Sequence, residues 1–477
     1  MNKLVKNYIY NLAYQIFVII VPLITMPYLA RVLHAENMGI YSYVTSCASI
    51  INTIGLLGLY NYGDREIAYT RDNRAELNRT FSELMSIRLI LCIVSTIAYL
   101  IWAVSSEYTS YFLIYYPWLL TGFIDISWFF AGIEDMGPMV FKNFLIKVLN
   151  IICIFVFVRT EGDLSKYFAL VAATTFLANL SMYLQLRGKQ LKFRFTLKNS
   201  KTHLTSAVLL LLPQLASLFY LQVDKIMLKY LSGSASQVAF YDQAEKIVNI
   251  PFSVVTALSV VMMPRIANEY KKGNTKSVSD YILKSARFAL MISIPIFLGL
   301  DAIADNFIPW YLGDEYLPVI QAIRIISPII ITNTLINIAG TQYLTAVDRT
   351  KILTISNVVA AIMNLVLNSI LIPRFGFYGA AIATIISSLC CAAVQLISMN
   401  KDIRVMPLFV KIWRYWVAAL SMFVIIKVSD IQEPTVLNTA LMIFIGIIVY
   451  TVAVFVLNDE LAKDMVKIVK KVIRRNR

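Results

Sequence analysis

The sequence predicts an all-α protein that crosses a membrane many times. Of its 477 residues, 58% are hydrophobic and only 15% are charged, and the mean hydropathy is +0.69. Average soluble domains carry about 25% charged residues, so this composition excludes a water-soluble globule. The hydrophobic residues form long runs, each close to the roughly 20 residues that a helix needs to cross the hydrocarbon core. We therefore predict a polytopic helical fold.

Fourteen runs of this kind follow one another with no long polar stretch between them. They cover residues 8–30, 40–60, 82–104, 111–133, 139–158, 164–186, 205–228, 238–263, 281–302, 318–345, 350–371, 377–399, 412–429 and 436–457. The first run contains Pro22 and Pro27 and lacks the small-residue cleavage pattern of a signal peptide. We expect it to be a retained helix.

The basic residues are distributed asymmetrically about these runs. Cytoplasmic segments of membrane proteins accumulate Lys and Arg. If the N-terminus is cytoplasmic, the segments on that side hold most of the 43 Lys and Arg residues, including Lys142, the stretch 187–203 and the chain after 457. Both termini are therefore expected in the cytoplasm. We attribute the net charge of +15 to this bias and to attraction to anionic headgroups, and not to nucleic-acid binding.

The chain repeats a pattern at an offset of 199 residues. Ala68 and Arg88 in the first half correspond to Ala267 and Arg287 in the second, with a basic loop inside each pair. An even number of helices in each half makes the halves parallel, related by an axis along the membrane normal, and such pairs enclose a central cavity. The predicted domains are an N-terminal lobe of helices 1–6, a C-terminal lobe of helices 7–12, two accessory helices and a basic cytoplasmic tail, at residues 1–200, 201–400, 401–457 and 458–477.

Several function classes lack their sequence signals. There is no G-x-x-x-x-G-K-[ST] nucleotide loop, and the two histidines and five cysteines form neither a zinc pattern nor a disulfide framework. The outer loops are short, the longest being about 304–317, which leaves little surface for an enzyme active site. By elimination, we favour a carrier that works by alternating access, without an organic cofactor.

Four segments carry motifs that are informative as a set: 11–43, with Pro22 and Pro-Tyr-Leu-Ala-Arg-Val-Leu at 27–33; Tyr-Gly-Asp-Arg-Glu-Ile-Ala at 62–68; Asp-Lys-Ile-Met-Leu at 224–228; and Pro-Arg-Phe-Gly-Phe-Tyr-Gly-Ala-Ala-Ile-Ala-Thr at 373–384. In these segments the sequence resembles Wzx-type polysaccharide repeat-unit flippases, of the polysaccharide transporter family in the multidrug/oligosaccharidyl-lipid/polysaccharide (MOP) superfamily. The resemblance implies a bacterial inner-membrane protein that moves an undecaprenyl-diphosphate-linked oligosaccharide to the outer leaflet, for O-antigen or capsule assembly. Other polysaccharide assembly proteins would be its partners, and H⁺ or Na⁺ would be a coupling ion.

A diphosphate headgroup cannot cross hydrocarbon unaided, because each unpaired polar group costs several kcal/mol there. We therefore expect a polar chamber lined by cations and open to the lipid at the side. The candidate substrate-binding cations are Arg324, Lys147, Lys225, Lys246, Arg88 and, at the outer end of the first helix, Arg31. For Lys246 an ion pair with Asp242, one turn earlier, is an equal reading. Arg88 alternatively snorkels to the cytoplasmic surface.

Polar residues inside the runs form helical stripes. The candidates for sugar contact are Gln214, Gln222, Asn333, Asn337, Asn357 and Asn364, with helix-to-helix hydrogen bonding as the alternative. Asp125 is the candidate ion-coupling carboxylate, and a packing hydrogen bond is its alternative. Pro22, Pro27 and Pro213 are hinge candidates, because a proline inside a helix removes a hydrogen bond and permits a kink.

Two rival functions remain open. A multidrug cation exporter shares the two-lobe architecture, but it would need unpaired intramembrane acids, whereas the cations are in excess here. A membrane polysaccharide polymerase or ligase is the enzymatic alternative, and the short outer loops oppose it.

Overall fold

The structure is a computed structural model of the whole chain. It describes residues 3–135, 137–186, 189, 191–410, 412–429, 431, 433–459, 461 and 463; side chains are described from residue 21 onward, except those at 209–210, 212–217, 219–221 and 260. The chain divides into two compact units, residues 1–239 and 240–477.

The described part of the first unit is helical. Its helices are α1 (Lys3–Leu56), α2 (Leu59–Thr70), α3 (Arg74–Ser105), α4 (Thr109–Ile124), α5 (Ser127–Gly132), α6 (Gly137–Phe157), α7 (Leu164–Leu186), α8 (Ser200–Ser232) and the first residues of α9 (Ala235–Lys271). Helix α8 packs along α1. The core at one end of this unit is aromatic, with Trp128 stacked on Phe81 at a centroid distance of 5.6 Å.

The second unit continues the same architecture from α9. It contains α10 (Thr275–Tyr311), α11 (Pro318–Ile326), α12 (Ile329–Ile336), α13 (Thr350–Phe375), α14 (Phe377–Asn400), α15 (Met406–Val410), α16 (Trp413–Val428) and α17 (Val436–Val456). A π-helix, Asn337–Leu344, extends α12. Helices α10, α16 and α17 share one aliphatic core.

The all-α membrane class is confirmed. The described residues contain no strand, and they form eleven helical segments long and apolar enough to span a membrane, or twelve with the bent pair α1–α2; some segments, such as Thr109–Gly132, join two of the helices above. The predicted total of fourteen remains a prediction. Many large apolar side chains are exposed along these helices, for example Ile93, Ile362 and Phe444, as expected where the solvent is lipid.

The breaks in these helices differ from those expected. The first two predicted runs lie on one element, α1, which is kinked at a single non-helical residue, His34, at φ 62° and ψ 170°. Pro22 and Pro27 lie inside α1, where the backbone stays helical. The described distortion therefore lies beyond the two prolines. Pro213 falls within the helical backbone of α8, and its side chain lies outside the described residues.

The division into units also differs from the lobe boundaries read from the repeat. Helix α8 belongs to the first unit, and the change of unit falls at residue 239, within α9. The boundaries at residues 200 and 400 describe the sequence repeat and remain predictions.

Candidate functional site

The most concentrated polar cluster of the first unit lies at a helix break. Helix α4 ends at Ile124 and α5 begins at Ser127, so Asp125 lies in the gap between them. The Asp125 N–H closes α4 by donating to the Thr121 carbonyl at 2.9 Å. Its carboxylate accepts the Ser127 N–H at 2.9 Å and the Ser127 hydroxyl at 2.5 Å. Asp125 therefore holds the two short helices together.

Lys142 faces the same carboxylate. Its ammonium donates to Asp125 Oδ1 at 3.0 Å, to Ser127 Oγ at 2.6 Å and to Asn179 Oδ1 at 3.2 Å. Only 5% of Lys142 is exposed. Helix α6 begins at Gly137 and carries Lys142 inside the packed end of the unit, and the cytoplasmic side assigned to this residue remains a prediction. All three donor positions of this ammonium are used.

Arg88 binds the last carbonyls of α4. Its guanidinium donates to the carbonyl of Phe123 at 3.3 Å and to that of Gly122, and it lies 5.5 Å from the centre of the Trp128 ring. The carbonyls at the end of a helix have no partners within the helix and carry partial negative charge. The snorkelling alternative is wrong, because only 1% of Arg88 is exposed.

This cluster has a net positive charge. It places two cations, Arg88 and Lys142, around one carboxylate, Asp125. In the described hydrogen bonds, the guanidinium of Arg88 donates to carbonyl oxygens and not to a second acid. The break between α4 and α5 thus holds an excess of one positive charge among these three groups, and it also contains the predicted coupling carboxylate.

The other candidate cations of the first unit differ in exposure. Lys147 is half-buried on α6 and has no hydrogen bond or ion pair with any described residue. Lys225 is buried on α8 beside the fully buried Asp224, and Arg31 is exposed on α1. Lys147 is therefore the predicted cation that keeps its donors available.

In the second unit both candidate cations form ion pairs. Lys246 lies 2.5 Å from Asp242, one turn earlier on α9. Arg324 on α11 contacts two acids of α10, Asp301 at 3.1 Å and Asp305 at 2.6 Å. No local pattern indicates the two partners of Arg324, because they lie on another helix. The pair of Lys246 with Asp242 is the alternative reading of the sequence. Both sites are neutralised, and this weakens their case as anion ligands.

The polar stripes of the second unit form hydrogen bonds between helices. Asn333 accepts from Ser388 at 3.0 Å, Asn337 accepts from Ser259, and Asn357 accepts from the Cys391 thiol at 3.4 Å. Asn364 accepts from Asn368 at 3.0 Å within α13, and both are buried. The contacts of Asn333, Asn337 and Asn357 match the helix-to-helix alternative. In the first unit Gln222 is half-buried, and the Gln214 side chain lies outside the described residues.

An apolar cavity of about 850 Å³ lies within the second unit. It is partly open and is lined mainly by aliphatic side chains and Pro251, with contributions from α10, α16 and α17. Two glycines, Gly299 and Gly446, widen its wall. A cavity of this size and polarity can hold a hydrocarbon chain, since lipid tails are recognised by apolar contact alone.

Two relatives with similar sequences match most of the chain. The chain is 22% identical over 383 residues to a putative O-antigen transporter of Shigella dysenteriae, covering 79% of this chain and 94% of the relative. It is 24% identical over 404 residues to a putative O-antigen transporter of Escherichia coli strain K12, covering 83% and 97%.

Solved structures share the fold. A lipid II flippase MurJ in an inward closed conformation superposes with a TM-score of 0.74 at 17% identity, covering 96% of this chain and 100% of that one. An inward-facing multidrug resistance MATE family transporter of the MOP superfamily gives a TM-score of 0.66 at 15% identity, covering 82% and 96%.

Family models decide the membership. The MatE family model matches residues 210–370. The model described as polysaccharide biosynthesis protein matches residues 4–269, more than half of the 477 residues. The resemblance found in the sequence motifs is thereby confirmed, and the chain belongs to the polysaccharide biosynthesis protein family.

Proposed function

We propose that this protein is a flippase that moves an undecaprenyl-diphosphate-linked oligosaccharide from the cytoplasmic to the outer leaflet of the bacterial inner membrane. The observation that carries the proposal is the family match over residues 4–269. Relatives named putative O-antigen transporters cover most of the chain. A transporter also accounts for the fold, because most of the described residues belong to candidate membrane helices. This function requires no enzymatic activity.

The features of each unit match one part of such a substrate. The first unit supplies Lys147, which has no ion pair with a described residue, and the excess positive charge of the cluster around Asp125; positive charge suits a diphosphate. The second unit supplies an apolar cavity that suits a hydrocarbon tail. Movement of the negative headgroup toward the outside is favoured by an inside-negative potential, by about 2.3 kcal/mol per charge per 100 mV.

The first test is Lys147→Gln in vesicles that contain the purified protein and a lipid-linked oligosaccharide. We expect outward flipping to slow about tenfold, because a charged hydrogen bond to phosphate is worth roughly 1.5–3 kcal/mol. Lys147→Arg should retain most of the rate. Lys166→Gln is the matched control, since Lys166 is exposed and pairs with Asp163. Flipping that is equally fast in all variants would remove Lys147 from the substrate path.

The second test fills the apolar cavity. A Cβ at Gly299 meets only the end of Met422, at 3.6 Å, so Gly299→Phe extends into the cavity without striking the backbone. We expect slower flipping of the lipid-linked substrate. Ile97→Phe, at an exposed position of α3, should not change the rate. The multidrug exporter is the better assignment if the wild type does not flip the lipid and Gly299→Phe has a lower rate of dye efflux than the wild type.

The driving ion is a separate proposal. We propose that H⁺ or Na⁺ couples to the cycle through Asp125, whose ion pair with Lys142 would be exchanged for the ion. Flipping rates in vesicles with imposed proton or sodium gradients, for the wild type and Asp125→Asn, test it. A wild-type rate that responds to neither gradient contradicts ion coupling and leaves the membrane potential as the drive.

A further inference from the structure

The segment that joins α7 to α8 is fastened to the side of α3. We name residues 191–199 the strap. The backbone N–H groups of Lys192, Arg194 and Thr196 donate to the side chains of Asn78 at 3.4 Å, Ser82 at 3.2 Å and Ser86 at 3.0 Å, respectively. The Ser82 hydroxyl also donates to the Lys192 carbonyl at 3.3 Å.

The spacing of these bonds has a geometric cause. The donors are every second residue of the strap, and the acceptors are every fourth residue of α3. Two residues of extended chain advance about 6.6 Å, and four residues of helix advance about 6 Å. An extended chain can therefore run along a helix and meet a polar side chain at each step, with its backbone edge turned toward the helix.

Both ends of the strap are also held. The Asn199 amide donates to Glu83 Oε1 at 2.9 Å, and His203 Nε2 lies 2.9 Å from Glu83 Oε2. His203 Nδ1 lies 2.8 Å from the Tyr62 hydroxyl. Before the strap, Lys189 pairs with Asp135 at 2.7 Å. These contacts, with the bonds to α3, fix the orientation of the backbone between them.

A fixed extended backbone turns alternate side chains to opposite faces. Phe193, Phe195 and Leu197 form one register, and 49%, 55% and 40% of their respective surfaces are exposed. Lys192, Arg194 and Lys198 form the other register and are exposed too. No described residue of the first unit covers these three apolar side chains completely, although neighbouring exposed apolar groups are unfavourable in water.

The charge of the segment is one-sided. No Asp or Glu occurs between residues 187 and 203. Four exposed cations, Lys192, Arg194, Lys198 and Lys201, form no ion pair with a described residue. Such a concentration of positive charge next to a membrane span attracts anionic lipid headgroups.

The position of the strap fits the membrane interface. It follows α7, a candidate span, and it lies along α3 at Ser82 and Ser86. The sequence places the start of the hydrocarbon-embedded part of α3 at about residue 82. Phe and Leu side chains of interfacial segments are buried at this level, at the boundary between headgroups and acyl chains.

We propose that the strap is an interfacial lipid-binding element. Phe193, Phe195 and Leu197 insert between the headgroups of the bilayer around the protein, and the four cations bind anionic phospholipid. Ser82 and Ser86 set the register that points the apolar side chains toward the lipid. This assignment concerns the surrounding membrane and does not depend on the proposed flipping activity.

Spin labels measure the insertion directly. In a chain whose five cysteines are replaced by alanine, a label is attached at Phe193→Cys, Phe195→Cys, Lys192→Cys or Lys198→Cys, and the protein is placed in nanodiscs with or without phosphatidylglycerol. We expect labels at 193 and 195 to collide more with oxygen than with an aqueous nickel complex. Labels at 192 and 198 should show the reverse order. Water-like collision rates at all four positions would overturn the proposal and leave the surface to a protein partner.

The charge of the strap is tested on the same label. With Lys192, Arg194, Lys198 and Lys201 changed to Gln, insertion of the label at 195 should no longer deepen when phosphatidylglycerol is added. A matched variant changes four exposed cations of another basic segment, Arg265, Lys271, Lys276 and Lys284, to Gln. It should keep the response. Equal responses in both variants would contradict specific binding by the strap.

A measurement without labels guards against misfolding of the cysteine-free chain. Phosphatidylglycerol added to the detergent-solubilised wild type should raise the melting temperature. The rise should shrink in the four-fold Gln variant of the strap and in Ser82→Ala combined with Ser86→Ala. An unchanged rise in both would overturn the proposal. Flipping measured in parallel keeps this result separate from the proposed function.

Discussion

At the scale of single residues, the buried and half-buried cations of the first unit differ in the acceptors that neighbouring residues offer them. Arg88 meets helix-end carbonyls, Lys142 meets a carboxylate, and Lys147 meets no described partner. In the sequence, neither Arg324 nor Lys147 has an acid nearby. Arg324 is paired with acids 19 and 23 residues earlier, a separation that no local pattern shows. Lys147 has no ion pair with a described residue, and its contact with the substrate stays a prediction.

The Lys142–Asp125 pair allows a quantitative prediction. Lys142→Met should lower the free energy of unfolding by about 3 kcal/mol, because it leaves a mostly buried carboxylate without its partner. Adding Asp125→Asn should recover much of the loss. Denaturant titration in detergent measures both. Lys166→Met, at an exposed pair, should cost less than about 1 kcal/mol, and an equal loss in the two lysine variants would contradict burial as the cause.

Gly39 permits a close approach between two helices. A Cβ built there would lie 1.8 Å from the carbonyl oxygen of Ala235, at the start of α9. Gly39→Ala must therefore shift backbone, and we expect it to destabilise the protein by about 2 kcal/mol or more. Gly162→Ala is the control, because nothing lies within 4 Å of its added Cβ. Thermal melting of the two variants compares them, and similar melting temperatures would refute the close contact.

At the scale of elements, hydropathy predicted where helices lie but not where they break. A run of about 20 apolar residues has one stable solution in lipid, a helix, so most runs coincide with the observed elements. The breaks at His34 and Asp125 involve one or two residues, which hydropathy over a long run cannot resolve. The strap was read only as a basic boundary, because its bonds join residues more than 100 positions apart.

The turn between the π-helix and α13 is tied to the end of α14 by Asp402. Its carboxylate accepts from the Tyr343 hydroxyl at 2.6 Å and from Arg349 at 2.5 Å. These hydrogen bonds, that from Tyr343 foremost, lower the pKa of Asp402 below its ordinary value. A lowered pKa contributes stability above the ordinary value of about 4, and this stability is lost as the pH falls through the lowered pKa.

We therefore expect the melting temperature of the wild type to fall more steeply than that of Asp402→Asn between about pH 5 and pH 3. Melting in detergent across this range measures the difference. Asp314→Asn is the control: Asp314 is exposed and forms no ion pair with a described residue, so its variant should follow the wild type. Parallel curves for Asp402→Asn and the wild type would contradict the role of this junction.

At the scale of the whole molecule, composition was the most informative signal. Hydropathy and motif resemblance predicted the helical membrane class and the family, and the structure and the family match confirmed both. The ligands of a central chamber could not be predicted in the same way. They depend on which faces of the helices meet, and a helix with apolar residues on all sides gives no signal of its facing direction.

Orientation in the membrane is the prediction at this scale. The asymmetry of Lys and Arg places both termini in the cytoplasm. Green fluorescent protein attached after Arg477 should be fluorescent in cells. It folds in the cytoplasm, but it does not become fluorescent when the general secretion pathway exports it. The same protein inserted at Gly162, in a segment predicted outside, should be dark. The opposite result would invert the assigned topology.

Asp459 shows how the last helix pair is attached. It is fully buried, 3.3 Å from both Arg287 on α10 and the Tyr415 hydroxyl on α16, and it follows directly on the end of α17. A chain cut at residue 457 would keep the hydrogen bonds of Thr439 and Tyr450 to α10 but lose this buried carboxylate and its contacts with Arg287 and Tyr415. Engineers who shorten or fuse this protein should therefore treat the residues just after α17 as part of the folded body and place any junction further along.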